Sequence, residues 1–157
     1  MTPFEFDWSV QKAAFEPDGA LRDLHVLDAT LEDWQRFIAH IVQRYGARMH
    51  GTGAAPLVED VIALLSTDPI RKGFLAFRVG GVWLHCHFFD VEEIELDFDP
   101  REIREPQLRA LLDFMAEVGD LLAKPVRLTR ESWPEFVFFE YAPGPRRMRW
   151  IPLRSEA

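Results

Sequence analysis

The chain has 157 residues, 48% of them hydrophobic and 13% aromatic, which is the composition of a folded globule with enough length for a real core. Its formal net charge of −8 at pH 7 argues against nucleic acid and anionic membranes as partners, and its one cysteine excludes an intramolecular disulfide and suits a reducing compartment. The N-terminus is acidic and aromatic, unlike a signal peptide, and no apolar run approaches a membrane span. We therefore expect a single cytoplasmic domain over residues 1–157.

The N-terminal part predicts two strands separated by a turn. Phe4, Phe6 and Trp8 alternate with polar residues, which is typical of a strand with one buried face. A Glu-Pro-Asp-Gly turn follows, and residues 21–27 predict the second strand. His25 falls on the face opposite Leu24 and Val26, near Leu21 and Leu27, where we interpret it as a partly buried structural histidine.

Three helices are predicted from apolar stripes and their end signals. Thr30 and Asp33 form the capping box of the first helix, and Gly46 suits its C-terminal end. Pro56 suits the start of a second helix. The clearest stripe runs over residues 108–122 and stops before a Lys-Pro pair.

The most strongly patterned stretch, residues 73–99, predicts a β-hairpin. Gly80 and Gly81 suit a type I′ turn, because both central positions of that turn need a positive φ. The turn fixes the register, with Val79 opposite Val82. One face is then entirely apolar and belongs to the core: Leu75, Phe77, Val79, Val82, Leu84, Cys86 and Phe88.

A third strand over residues 94–98 extends the hairpin into a meander. Its apolar residues join the core face if Phe88 pairs with Ile94 after a loop over residues 89–93. Cross-strand pairing then places His87 opposite Glu95 and His85 opposite Asp97. The non-core face of the meander thus combines aromatic and charged residues, and it is either open to solvent or covered as a second core layer.

The C-terminal part predicts short strands over residues 126–129 and 136–141 and an edge strand over 148–153. A basic patch with one tryptophan lies near the end. We expect it to dock on the acidic stripe of residues 93–99 of the same chain or, alternatively, of a second chain in an oligomer. Its members are Arg146, Arg147, Arg149, Trp150 and Arg154. The mixture of helices and tight hairpins predicts an α+β fold: a mainly antiparallel sheet, with a meander around residues 74–98 and two or three helices packed on one face.

The main candidates for a metal-binding or catalytic role are His85, His87 and the carboxylates predicted opposite them on the next strand. Two imidazoles and a carboxylate suit a transition metal, with His85, His87 and Glu95 as candidate ligands. A histidine held by Asp97 could instead serve in general acid–base catalysis, with His85, His87 and Asp97 as candidates. At an ordinary solvated surface the same residues form only cross-strand ion pairs. No nucleophile motif or phosphate-binding loop occurs, and no cofactor is expected.

The string His85-x-His87-x4-Glu92 resembles the metal motif of cupins. The resemblance covers only these eight residues, and the glycine that frames the motif and the second motif are both missing. Two strong helices also do not suit a jelly roll.

In size, acidity and lack of a catalytic motif, the chain resembles bacterial immunity proteins, which neutralise toxins. No motif is shared, so no residue role is implied. The resemblance favours a non-enzymatic protein-binding module, monomeric or homodimeric, for a basic partner. Its expected binding residues are Phe74, Arg78, Trp83, His85, His87, Glu95 and Asp97. The alternative is a metal- or His-dependent hydrolase using His85 and His87 with Glu95 or Asp97.

Overall fold

The computed structural model describes residues 6–57, 60–66 and 73–153. Its helices are α1 (Trp8–Gln11), α2 (Leu31–Tyr45), α3 (Asp60–Ser66) and α4 (Glu105–Leu122), with 3₁₀ turns at Lys12–Phe15 and Pro100–Glu102. Its strands are β1 (Arg22–Leu27), β2 (Arg48–Met49), β3 (Phe74–Val79), β4 (Val82–Asp90), β5 (Glu93–Phe98), β6 (Val126–Arg130), β7 (Trp133–Ala142) and β8 (Arg147–Trp150).

These strands form one eight-stranded antiparallel sheet in the order β2-β3-β4-β5-β1-β6-β7-β8. The predicted α+β fold with a mainly antiparallel sheet is confirmed. No helix in the described ranges is long and apolar enough to cross a membrane.

The Gly80-Gly81 hairpin has the predicted register along its whole length. Val79 pairs with Val82, and the pairing continues through Phe74 with His87. Gly80 and Gly81 have φ values of +58° and +87°, as a type I′ turn requires. The turn therefore sorts the side chains of β3 and β4 onto the two faces as predicted.

Strand β5 also joins β4 in the predicted register, with His85 opposite Asp97 and His87 opposite Glu95. The connection is shorter than predicted, because β4 continues to Asp90, which pairs directly with Glu93. A register shift between His87 and Asp90 takes up the one additional residue of β4.

The helices cover the apolar face of the sheet. Helix α2 begins with the predicted capping box between Thr30 and Asp33. Gly46 follows its last residue and has the left-handed backbone conformation that commonly ends a helix. Trp34 of α2 stacks on Phe88 with the ring centroids 5.6 Å apart, and Phe114 of α4 lies 5.8 Å from Phe77. Aromatic side chains from two helices therefore close the core over the meander.

The predicted N-terminal strand is wrong in the part that is described, since Trp8 begins α1. A helical turn lets Trp8 stack on Phe15, which in turn contacts Phe98 at the core. Phe6 lies under the guanidinium of Arg109, and Phe4 lies outside the described residues. The second helix also begins later than predicted, at Asp60, and Pro56 is not helical.

The predicted docking of the basic C-terminal patch on residues 93–99 of the same chain is wrong as well. Strand β8 forms the far edge of the sheet, and β1, β6 and β7 separate it from β5. Arg149 pairs with Glu140 at 3.4 Å, and Arg146 pairs with Asp120 at 3.5 Å. Arg154 lies outside the described residues.

Candidate functional site

The face of the sheet opposite α2 and α4 is partly exposed at its β3–β5 end. Along β3, β4 and β5, buried core residues alternate with residues that solvent reaches. Trp83 and Phe89 are 44% and 56% exposed. We call this surface the open face. It consists of Asp23, His25, Phe74, Ala76, Arg78, Trp83, His85, His87, Phe89, Glu93, Glu95, Asp97, Arg127 and Thr129.

Toward β1 and β6 the open face becomes buried. Asp23 and His25 are each 1% exposed, and Thr129 is fully buried. The turn after β6 closes over Asp23, whose carboxylate accepts a hydrogen bond of 2.7 Å from the backbone N–H of Ser132. Arg127 lies opposite His25 and pairs with Glu140 at 2.8 Å. The two ends of the open face therefore offer a solvated surface and a desolvated polar cluster.

A row of aromatic and imidazole rings crosses the exposed end. His50 stacks on Phe74 at 4.6 Å between centroids, and Phe74 contacts His87 at 5.6 Å. His87 stacks on Phe89 at 5.0 Å with an interplanar angle of 3°. Ring faces of this kind contact cations and other planar groups. We call these four residues the aromatic row.

Asp97 joins the two histidines of β4. Its Oδ1 lies 3.3 Å from Nδ1 of His85, and its Oδ2 lies 2.6 Å from Nε2 of His87. Burial disfavours the charged imidazole, but Asp97 and Glu95 outweigh that effect and raise the pKa of His87. A carboxylate that orients an imidazole is an arrangement used in acid–base catalysis, and it is also a stable cross-strand ion pair.

A second polar cluster lies one strand further, between β5 and β1. The register places His25 opposite Glu95, and Asp23 lies on the same face two residues before His25. One ligand atom from each of Asp23, His25 and Glu95 lies within 4.8 Å of the others. Glu93 contacts Nδ1 of His25 at 2.5 Å. We call Asp23, His25 and Glu95 the β1–β5 cluster.

The charges of the β1–β5 cluster perturb one another. Burial and the nearby Asp23 carboxylate raise the pKa of Glu95 well above its usual range. Burial opposes protonation of His25, but Asp23 and Glu93 outweigh it and raise the pKa of that imidazole. Both shifts favour a bound proton, so the carboxylates of the cluster attract positive charge into a largely buried place.

The cavities near the open face differ in size. His25 lines one of about 100 Å³, together with Leu27, Asp28, Pro125 and Arg127. A larger one of about 480 Å³ lies at the β2–β3 edge, where Arg78 and Trp83 contribute to its wall. Pockets for drug-sized molecules occupy roughly 300–1,000 Å³. The cavity at His25 has room for an ion and water but not for a substrate of that size.

No family model, curated protein or solved structure gives a significant match to the chain. The function has to be inferred from the geometry and charge of the open face.

The structure distributes the predicted binding residues over three places. Phe74, His85, His87 and Asp97 contact one another at the centre of the exposed end. Arg78 and Trp83 form a cation–π pair at 5.4 Å near the hairpin turn. Glu95 belongs to the β1–β5 cluster.

The sequence analysis missed Asp23 and the role of His25. The described residues contain one group with spacing suited to a metal, and it consists of Asp23, His25 and Glu95 rather than the expected His85, His87 and Glu95. The signal in the sequence is Asp23-x-His25, whose alternation puts both side chains on one face of β1. That signal could not identify β5 as the neighbouring strand.

Proposed function

We propose that the open face binds a basic segment of a partner protein. The observation that carries the proposal is the partly exposed aromatic row lying beside carboxylates whose described ion-pair partners are histidines: Glu93 and Asp97. A histidine balances a carboxylate fully only when it is protonated. Lysine and arginine side chains from a partner would supply the missing positive charge.

The exposed aromatics favour the same partner. Trp83 and Phe89 flank the two histidines of β4 and keep about half of their surface in solvent. A guanidinium or ammonium over such a ring gains about 0.5–1 kcal/mol at an exposed site and more when water is excluded. Tryptophan is also enriched among the residues that dominate binding energy at protein interfaces.

Shape and long-range charge support a macromolecular partner. The exposed end is a sheet surface, and the cavity of about 480 Å³ at its β2–β3 edge, with Arg78 and Trp83 in its wall, is wide enough for a side chain of the partner. The net charge of −8 attracts a basic protein before contact, which raises the association rate and makes it fall with added salt.

The proposal can be tested by comparing the native chain with Trp83→Ala/Phe89→Ala. Both chains are immobilised, partners are captured from cells of the source organism, and the dissociation constant of each captured protein is measured at low and high salt. We expect a basic partner whose affinity falls about 30-fold in the double variant, since interface hot spots are worth about 2 kcal/mol or more.

Trp133→Ala is the matched control, because Trp133 is 49% exposed but lies on β7. It should bind the partner as the native chain does. Equal binding by the native chain and the double variant, or an affinity that does not change with salt, would contradict the proposal.

A second candidate function is hydrolysis, and the observation that favours it is the Asp97 carboxylate shared by His85 and His87. In this hypothesis one of the two imidazoles acts as the general base.

The test of the hydrolase hypothesis is turnover of nitrophenyl ester and phosphate substrates. General acid–base catalysis contributes about 10²–10⁴-fold, so Asp97→Asn should lower the rate by a factor in that range. Asp113→Asn, which removes an exposed carboxylate on α4, should leave the rate unchanged. Absence of turnover above the buffer rate would exclude hydrolysis of these substrates.

A further inference from the structure

We propose that Asp23, His25 and Glu95 bind a divalent transition-metal ion between strands β1 and β5. The site goes beyond the proposed partner binding and does not depend on it. Its ligands come from neighbouring strands of one sheet, so backbone hydrogen bonding holds them in place before any ion binds.

The spacing of the three side chains suits one ion. Their ligand atoms lie within 4.8 Å of one another. Zinc binds imidazole nitrogen and carboxylate oxygen at about 2.0–2.2 Å in a tetrahedral arrangement, so two of its ligand atoms lie about 3.3–3.6 Å apart. Nε2 of His25 and Oδ2 of Asp23 already lie 3.5 Å apart. The wider separations in the cluster have to close by roughly 1 Å, which rotation about the side-chain bonds of Glu95 can supply.

His25 provides an independent indication. Its side chain is 1% exposed, and its buried Nε2 atom has no hydrogen-bond partner. The nearest carboxylate oxygen, Oδ2 of Asp23, lies 3.5 Å away without hydrogen-bond geometry. Buried polar atoms in folded proteins are nearly always satisfied. A cation between Nε2 and the two carboxylates satisfies all three groups.

The other nitrogen of His25 is positioned as in known metal sites. Its Nδ1 lies 2.5 Å from Oε1 of Glu93. When Nδ1 donates its proton to Glu93, Nε2 carries the lone pair that a metal needs. Histidine ligands of metals usually donate their second N–H to a carboxylate or carbonyl in this way, which fixes the tautomer and the ring orientation.

The electrostatics of the cluster also favour a cation. Asp23 is buried beside the half-buried Glu95, and repulsion between the two carboxylates contributes to the raised pKa of Glu95. A divalent ion at this place would replace that repulsion with two attractive contacts. Its ligand set of one nitrogen and two oxygens suits Zn²⁺ best, then Mn²⁺, and both better than Ca²⁺, which takes six to eight oxygen ligands. The remaining coordination positions would be filled by water.

The test is calorimetric titration of the chelator-treated full chain with Zn²⁺, Mn²⁺ and Ca²⁺. We expect one equivalent of Zn²⁺ to bind, more tightly than Mn²⁺, and Ca²⁺ not to bind. Glu95→Gln and His25→Gln should each lower the Zn²⁺ affinity at least 10-fold. Glu93→Gln should lower it by about 10–100-fold, because it removes the partner that orients His25.

His85→Gln is the matched control, since it removes an imidazole from the same face without touching the cluster, and it should keep the Zn²⁺ affinity. Circular dichroism reports whether each variant folds. If His25→Gln does not fold, the half-buried Glu95→Gln carries the test. In a ¹⁵N NMR titration of the native chain, Zn²⁺ should shift the Nε2 signal of His25.

Three results would overturn the proposal. The first is no Zn²⁺ binding at millimolar concentration. The second is binding that His85→Gln or His87→Gln abolishes and Glu95→Gln leaves intact, which would place the ion on β4. The third is a His25 imidazole that carries protons on both nitrogens and whose signals do not respond to Zn²⁺.

Discussion

The turn that sets the register of the open face makes a close contact with helix α4, and substituting its first glycine tests that contact. A Cβ atom added to Gly80 would lie 2.3 Å from Cβ of Ala110. Carbon atoms in favourable contact are about 3.5–4.0 Å apart. The turn or the helix would therefore have to move by roughly 1 Å or more. Gly81 has no such contact, since the nearest atom to its added Cβ lies 3.9 Å away at the flexible end of Arg78.

The two glycines therefore form a matched pair. Both have a positive φ, which costs an alanine about 1–2 kcal/mol. Gly81→Ala should lower the free energy of unfolding by about that amount. Gly80→Ala should lower it by about 2–5 kcal/mol, because overpacking adds about 1–3 kcal/mol.

Ala110→Gly should relieve the clash that Gly80→Ala creates, because it removes the Cβ atom of Ala110. Alone, it should cost about 1 kcal/mol of helix propensity. Combined with Gly80→Ala, it removes the clashing atom and leaves the Ala110 Cα 3.9 Å from the new Cβ, which is an ordinary contact. We expect a favourable coupling energy of about 1–3 kcal/mol, measured by urea unfolding of the four chains. Equal losses in Gly80→Ala and Gly81→Ala, with a coupling energy under about 0.5 kcal/mol, would refute the close contact.

Two further predictions concern buried titratable groups. Burial raises the pKa of Asp33, but its contacts with Lys124 and Thr30 outweigh burial and hold that pKa below its usual range. A lowered pKa in the folded state stabilises the protein above the unfolded value of about 4 and ceases to do so as pH falls through the folded value. Asp33→Asn should therefore lower the free energy of unfolding by about 1–2 kcal/mol at pH 7, measured by urea unfolding. The loss should become progressively smaller below about pH 4. A loss that stays constant with pH would contradict the lowered pKa of Asp33. Cys86 is fully buried, and burial together with Asp97 and Glu95 raises the pKa of its thiol far above its usual range, so it should react with a thiol reagent only in denaturant. Rapid labelling of the folded chain would show that the sheet opens at β4.

The parts of the fold that the sequence predicted depend on local signals. The Gly80-Gly81 turn leaves one register for β3 and β4, and the alternation in β5 leaves one face for its apolar residues. The capping box at Thr30 and Asp33 likewise depends on residues three positions apart. In each case a short stretch of chain contains the whole physical reason for its structure.

The parts that could not be predicted depend on sheet order. Nothing in residues 22–27 specifies that β1 lies between β5 and β6, because an alternating strand pairs equally well with many edges. The environment of His25 followed from that order, and so did the approach of Asp23 to Glu95. The error at Trp8 has a related cause. Alternating aromatic residues suit a strand, but the contact between Trp8 and Phe15 is satisfied by a helical turn.

The central place of β1 has a consequence for how the chain folds. Strands β2 to β5 form one antiparallel group and β6 to β8 form another, and β1 is the strand that joins the two groups into a single sheet. Its contacts are distant along the chain: the bond from Ser132 to Asp23 spans 109 positions. Such non-local pairing slows folding, and β1 leaves the ribosome long before its neighbours exist. Until it inserts, β5 and β6 both present unpaired edges, which are the parts of a sheet most prone to aggregation.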